Sequence, residues 1–328
     1  MHRGLRAVKC ISPRGGERLQ SVSFPSPEFD ASALRRHGKS FYFASRFLGE
    51  RHARRAARLY AFCRYVDDMA DEADSHCTAR EGLDRLVREL TGADRVSPQT
   101  RDFLELARET GMPLAPILAL IDGVRSDLGE VALKSEDDLL RYAYRVAGVV
   151  GLMMCDVLDV PDARARPFAI DLGIGMQLTN IARDVAEDAA RGRRYLPAAW
   201  IGAASPAHIL DPDLALKGAL QSAQKRLLGL ADHFYTSGER GLGYLPARAR
   251  FAILVAARVY RRIGCKIAQQ DFATWRGRAS VGGLEKLRVA ALAALSCGLN
   301  GQLRAQHRAH DARLHRSLEG LPFAHVPE

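Results

Sequence analysis

The chain lacks the features that would make it a membrane-spanning, disulfide-stapled or β-rich protein. No uninterrupted apolar run reaches the ~18 residues needed to cross a bilayer; the apolar stretch 289–299 is too short. The six cysteines (Cys10, Cys63, Cys77, Cys155, Cys265, Cys297) show no C-x-x-C spacing. That excludes a thiolate metal knuckle or a disulfide framework and reads as reduced, mostly buried thiols of a cytoplasmic protein. Short Val/Thr/Ile runs punctuated by Gly and Pro are missing, which argues against an all-β fold. Strand and helix patterns do not alternate, and no G-x-G-x-x-G follows a strand. No zinc-finger, RNP or basic-zipper pattern appears and aromatics do not interleave with basic stripes, so nucleic acid is not an expected partner. Acid is scarce at the start, where only Glu17 precedes Glu28. Residues 1–27 are basic, Ser/Pro/Gly-rich and aperiodic, without the apolar core of a secretory signal, and are expected to be a disordered or targeting leader.

What is present is a helical chain with a basic excess. Hydrophobic residues make up 47% of its 328 residues, enough for a sizeable core. Lys and Arg (48) outnumber Asp and Glu (38), giving a net charge of +10. Basicity gathers in residues 1–60 and in Arg304, Arg308, Arg313 and Arg316. With nucleic acid set aside, a polyanionic substrate or an anionic lipid surface remains as the partner class. The periodicity predicts one all-α domain over 28–300, followed by a basic, partly disordered tail over 301–328. A first helix is expected to be capped at Asp30-Ala31-Ser32 and to run through His37 and Phe41. Further helices are expected over 51–73, 78–91, 99–110, 113–128, 135–158, 162–190, 212–237, 246–271 and 284–316, the last fraying at its end. Gly148 and Gly151 interrupt an apolar stretch and imply close helix packing or room for a ligand.

Two acidic clusters carry the functional signal. Asp67 and Asp71 stand four apart, as do Asp184 and Asp188, and that spacing puts each pair on one helix face. A single D-x-x-x-D is common on solvated helices. Here both continue an apolar face: Leu59, Tyr60, Phe62, Cys63 and Val66 lead into the first, and Ile170, Leu172, Ile174, Met176, Leu178 and Ile181 into the second. Paired inward carboxylates repel one another unless a cation offsets the repulsion. Mg²⁺ takes carboxylate oxygens and completes its shell with water and substrate phosphates, and with no Cys/His cluster the donor set is all oxygen. Mn²⁺ suits the same set. Two such helices facing across a cavity would hold a diphosphate. Arg64, Arg183, Arg193 and Tyr195 flank the clusters, with Gln177 and Asn180 on the turns before Asp184, where they would stabilise a departing diphosphate.

These residues carry a resemblance to the squalene/phytoene synthase family. It rests on His37-Gly38-Lys39-Ser40-Phe41, YAFCRYVDDMAD at 60–71, YAYRVAGVVGLMM at 142–154, QLTNIARDVAEDAARGRRYLP at 177–197, and Arg258-Val259-Tyr260 with Ile263-Gly264. These segments stand in family order. The resemblance implies the all-α isoprenoid synthase bundle with a central cavity. It also implies Mg²⁺-dependent head-to-head condensation of two geranylgeranyl diphosphates to phytoene through a cyclopropylcarbinyl diphosphate. By position, Asp67, Asp71, Asn180, Asp184 and Asp188 match metal contacts. Arg64, Arg183, Arg193, Tyr260, His37, Lys39 and Ser40 match the diphosphate side. Phe41, Tyr60, Tyr142, Val146, Val150, Gly151, Gln177 and Tyr195 match the substrate cavity. Ala186 stands where the family often has Gly. A C30 enzyme making squalene, hydroxysqualene or dehydrosqualene from farnesyl diphosphate is the alternative within the family. A catalytically dead homologue is disfavoured by the four intact aspartates. Small residues at Ser45, Ala56 and Ala57 leave room for a C20 rather than a C15 chain. Basic ends and an apolar product predict peripheral contact with the inner face of an anionic membrane. Oligomeric state is left open.

Overall fold

The periodic segments become helices whose limits are set by identifiable caps. The computed structural model describes residues 39–299, 301–305 and 309–324. Helix α1 spans Lys39–Ser45, so the expected cap at 30–32 and His37 lie outside the described residues, and of Lys39 only the backbone is described. Helix α2 (Glu50–Asp71) carries the first acidic cluster. Helix α3 (His76–Leu90) starts at Ser75, whose hydroxyl accepts from the Thr78 N–H. Helix α4 (Pro98–Thr110) starts at Ser97 in the same way and stops at Gly111, which takes the left-handed conformation. Helix α5 spans Ala115–Arg125. Helix α6 (Glu136–Ala143) opens on a full capping box between Ser135 and Asp138. It runs through one π turn, Tyr144–Gly148, into α7 (Val149–Val157).

Helix α8 (Arg166–Arg183) is the central post and packs against α7, α10 (Leu214–Arg240) and α11 (Ala247–Gln269). Ile170, Ile174 and Leu178 on it are completely buried. Each such side chain contributes about 2 kcal/mol by burial. The Thr179 hydroxyl pairs with the Tyr235 hydroxyl at 2.9 Å, which satisfies both inside the core. Glycine lets the backbones approach. A Cβ on Gly151 would stand 2.1 Å from the Ala169 carbonyl oxygen, and one on Gly173 would stand 2.3 Å from that of Ala147.

The structure departs from the sequence expectation at two places. The helix expected over 162–190 breaks at Asp184 (φ −101°, ψ 14°) and resumes as α9 (Val185–Ala190). The helix expected over 284–316 is shorter, α12 (Gly283–Leu299), and a 3₁₀ segment covers Ala312–Leu318. Residues 309–324 do not fray but pack on the bundle. Leu318, Leu321 and Ala324 are buried. Arg141 donates to the Ser317 and Glu319 carbonyls at 3.0 and 2.9 Å, and the Tyr144 hydroxyl donates to the Pro322 carbonyl. Among the described residues there is no β-strand; one isolated bridge joins Ala132 to Arg194. That bridge pins the loop after α9 to the loop after α5, and both loops border the cavity described next.

Candidate active site

A cavity of about 260 Å³ opens where the C-terminal half of α2 faces the end of α8. Helix α2 contributes Arg64, Asp67 and Asp71 to its wall; α8 contributes Gln177, Asn180 and Arg183. Asp184 and Asp188 close the α8–α9 side. Tyr142 and Val146 enter from α6 and the π turn, and Arg193 and Tyr195 from the loop after α9. The π turn adds one residue to a helical turn, and such turns recur at functional sites. Here it sets Val146 into the wall, and α5 sits so close beneath it that a Cβ on Gly123 would meet Val146 Cγ1 at 2.9 Å.

The break at Asp184 has a local chemical correlate. Consecutive residues on a regular helix do not face each other. Yet Arg183 grips Asp184 with two hydrogen bonds, Nε to Oδ1 at 2.7 Å and Nη2 to Oδ2 at 2.5 Å. The kink makes this fork possible. Arg278, from the loop after α11, adds a third contact to Asp184 at 3.0 Å and reaches Glu187 at 3.4 Å. Across the cavity, Asp71 pairs with Arg193 at 2.9 Å and Arg191 at 3.3 Å. Arg64 pairs with Asp68 and lies 3.9 Å from Asp67. Arginines therefore tie one carboxylate of each pair and leave the other, Asp67 and Asp188, facing the opening.

Those two carry the electrostatic load. Burial pushes Asp67 up to about 7; Arg64 opposes this while Asp71, Asp68 and Asp127 add to it. Its side chain, 41% accessible, lines the cavity wall. Burial, with Asp184 beside it, likewise pushes Asp188 up to about 7. Asp127 is a third such group, raised by burial to about 6 and moderated by its hydrogen bond from the Tyr142 hydroxyl at 2.8 Å. Tyr142 stacks on Tyr195 at 4.8 Å, which fixes that hydroxyl. No three His, Cys, Asp or Glu ligand atoms of this cavity come within 4.8 Å of one another among the described residues, so the acids form two jaws rather than one nest.

The cavity has unmet hydrogen-bonding capacity of both signs. Asn180 Oδ1 and Asp127 Oδ1 are buried acceptors without a partner, and Arg64 Nε is a buried donor without one. Buried polar atoms are normally paired. Orphan acceptors beside under-ionised carboxylates fit a hard cation, and an orphan guanidinium N–H fits an anion. The residues present therefore fit Mg²⁺ or Mn²⁺ together with a diphosphate.

Not every sequence-predicted residue lines this cavity. Phe41 and Tyr60 stack on each other at 5.7 Å, with Tyr60 near Arg64. Tyr260 on α11 lies beside Arg183 and Asp184, and burial raises its pKa. Gly151 meets α8 instead, as described above, and Val150 packs against the core. Ser40 lies at the start of α1. Ala56 is 1% exposed within the core, and the Ser45 hydroxyl bonds the Tyr42 carbonyl at 2.9 Å; neither they nor Ala57 line the cavity. Conversely, sequence reasoning missed Asp127, Arg191 and Arg278. Arg191 adjoins the recognised Arg193. Asp127 and Arg278 sit singly in loops, without a spacing that could have marked them.

Residues 34–285 match the family model described as squalene/phytoene synthase. The 15-cis-phytoene synthase of Enterobacter agglomerans is 37% identical over 262 residues, covering 76% of this chain and 88% of that protein. The phytoene synthase of Rhodobacter capsulatus is 35% identical over 305 residues, covering 87% and 89%. Among solved structures, a dehydrosqualene synthase in complex with ligand superposes with a TM-score of 0.69 at 27% identity, covering 81% of this chain and 94% of that chain.

Proposed function

The chain belongs to the squalene/phytoene synthase family, and from that premise we propose that it condenses two molecules of geranylgeranyl diphosphate to phytoene. The observation that carries the reading is the pair of acidic jaws across one cavity, with orphan donor and acceptor atoms between them. Asp67, Asp71, Asn180, Asp184 and Asp188 would hold Mg²⁺. When bound, Mg²⁺ neutralises the charge that develops on the departing diphosphate. The protein's own part is electrostatic and positional. Arg64, Arg183 and Arg193 present guanidinium groups to the diphosphate side, already oriented by Asp68, Asp184 and Asp71. Preorganised donors need no rearrangement as the allylic C–O bond breaks. Tyr260 stands beside Arg183. Val146, with Val124 and Ile181, supplies an apolar wall for the prenyl end.

A C30 product from farnesyl diphosphate is the second reading, favoured by the likeness to a dehydrosqualene synthase. Purified protein incubated with Mg²⁺ and either the C20 or the C15 diphosphate, with and without NADPH, decides between them by product chromatography. Phytoene from the C20 substrate with the higher kcat/KM is expected. A higher kcat/KM for the C15 substrate overturns the chain length, and no hydrocarbon from either overturns the activity.

The reading extends to peripheral contact with an anionic membrane. Among the described residues no helix is long and apolar enough to cross one. Helix α12 exposes Leu284, Leu287, Leu292 and Leu295, all at least 56% accessible, with Arg288 on the same side. Leucines and a cation on one surface helix suit an interfacial position.

A further inference from the structure

Asp171 lies on α8 about 20 Å from Asp184, thirteen residues away at the helical rise. It is completely buried, and two histidines from the C-terminal segment converge on it. His315 Nε2 stands 2.8 Å from Oδ1 and His310 Nε2 stands 2.8 Å from Oδ2. Their side chains are 5% and 13% accessible. The Ser237 hydroxyl donates to Oδ2 at 2.5 Å. Among the described residues, these three side chains form the one cluster of His, Cys, Asp or Glu ligand atoms lying within 4.8 Å of one another.

Hydrogen counting constrains what lies between them. His315 Nδ1 is 3.0 Å from the Ala324 carbonyl oxygen, which only accepts, so Nδ1 carries the hydrogen. In the neutral ring Nε2 is then a bare lone pair. It faces a carboxylate oxygen that also only accepts. A cation must fill the space between the two: either a proton, shared between ring and carboxyl as an ordinary hydrogen bond, or a metal ion, which leaves the ring neutral. Two imidazole nitrogens and one carboxylate make a ligand set for a borderline cation, unlike the all-oxygen jaws of the cavity. The supporting shell is also in place. The Ala324 carbonyl fixes the His315 tautomer and Ser237 orients the carboxylate, the arrangement that surrounds ligating His and Asp.

We propose that Asp171, His310 and His315 bind a divalent transition-metal ion of the zinc type, which staples the C-terminal segment to α8. The two histidines lie 139 and 144 residues from Asp171 in sequence, so the ion closes a long loop and adds to the packing of Leu318 and Leu321 and the hydrogen bonds from Arg141 and Tyr144. The site is independent of the activity proposed above.

The test uses the full chain, purified without a polyhistidine tag, stripped with chelator and titrated with Co²⁺ and then Zn²⁺. One molar equivalent of Co²⁺ should bind with visible d–d absorption, be displaced by Zn²⁺ but not by excess Mg²⁺, and raise the melting temperature. His310→Gln and His315→Gln should abolish that equivalent, while Asp188→Asn keeps it. His310 is the more accessible ligand, so His310→Gln carries the test if another variant fails to fold. Absence of stoichiometric Co²⁺ binding by the wild type overturns the proposal. So does binding retained in both histidine variants, or a thiolate charge-transfer band placing the ion on a cysteine.

Discussion

Asp188→Asn should abolish turnover and at the same time stabilise the metal-free protein above neutral pH. Asp188 titrates near 3.8 when unfolded and near 7 when folded. A carboxyl whose folded pKa is the higher one binds more protons in the native state, so stability falls as pH rises between those values and levels off above about 7. The full gap of about 3 pH units corresponds to a ceiling of ~4 kcal/mol. Asp188 is only half-buried and lines an open cavity, so solvent screening cuts this to ~1–2 kcal/mol. Asparagine keeps the shape and stays neutral, so it avoids that penalty. Urea denaturation in EDTA at pH 4, 6 and 8 measures it: the variant should match wild type at pH 4 and exceed it by ~1–2 kcal/mol at pH 8. Adding Mg²⁺ with inorganic diphosphate should then raise the wild-type melting temperature and not that of the variant. A variant less stable than wild type at pH 8, or a difference that ignores pH, refutes the reasoning.

Other outcomes follow from neighbouring geometry. Turnover should vanish with chelator and return with Mg²⁺ or Mn²⁺; return with Zn²⁺ alone would contradict an all-oxygen site. Tyr142→Phe strips Asp127 of its 2.8 Å donor and should destabilise by ~1–3 kcal/mol in urea. Gly151→Ala drives a Cβ to 2.1 Å from a backbone oxygen and should cost about 3 kcal/mol or more, whereas Gly218→Ala on α10 meets nothing within 4 Å and should gain ~0.5–1 kcal/mol. Flotation with anionic liposomes should recover the wild type, and Leu287→Glu with Leu295→Glu should reduce that recovery severalfold; equal recovery would remove α12 from the membrane contact.

The all-α class was legible because the 3.6-residue period persists through α2, α8, α10 and α11, and because the Ser-Glu-Asp-Asp run at Ser135 marks a helix start; the caps at Ser75 and Ser97 emerge only in the structure, ahead of the starts expected at 78 and 99. The carboxylate pairs were legible for the same reason. The break at Asp184 was not: no Gly or Pro marks it, and its stabilising contacts come partly from Arg278, 94 residues away. Asp127 left no trace because a single loop aspartate has no periodicity. The docking of residues 309–324 depends on Asp171 and Tyr144, partners far upstream that local pattern cannot report. The small residues Ser45, Ala56 and Ala57 are legible only as small. Ala56 serves helix packing, a use that sequence cannot tell apart from making room for a ligand.

The glycine crossing between α7 and α8 also sets which parts of this protein can change. Ala169 and Ala147 each press a carbonyl into the space where the opposing glycine has no side chain. Contacts between main chains have no rotamers to adjust, so the crossing acts as a fulcrum of fixed height. Gln177 and Asn180 stand farther along α8, and their placement is inherited from that fulcrum. Selection for a longer or shorter prenyl chain must therefore work through side chains such as Val124 and Val146, which can be resized without moving the pivot. In a mutational library selected for altered chain length, positions 151 and 173 should stay invariant while 124 and 146 diversify.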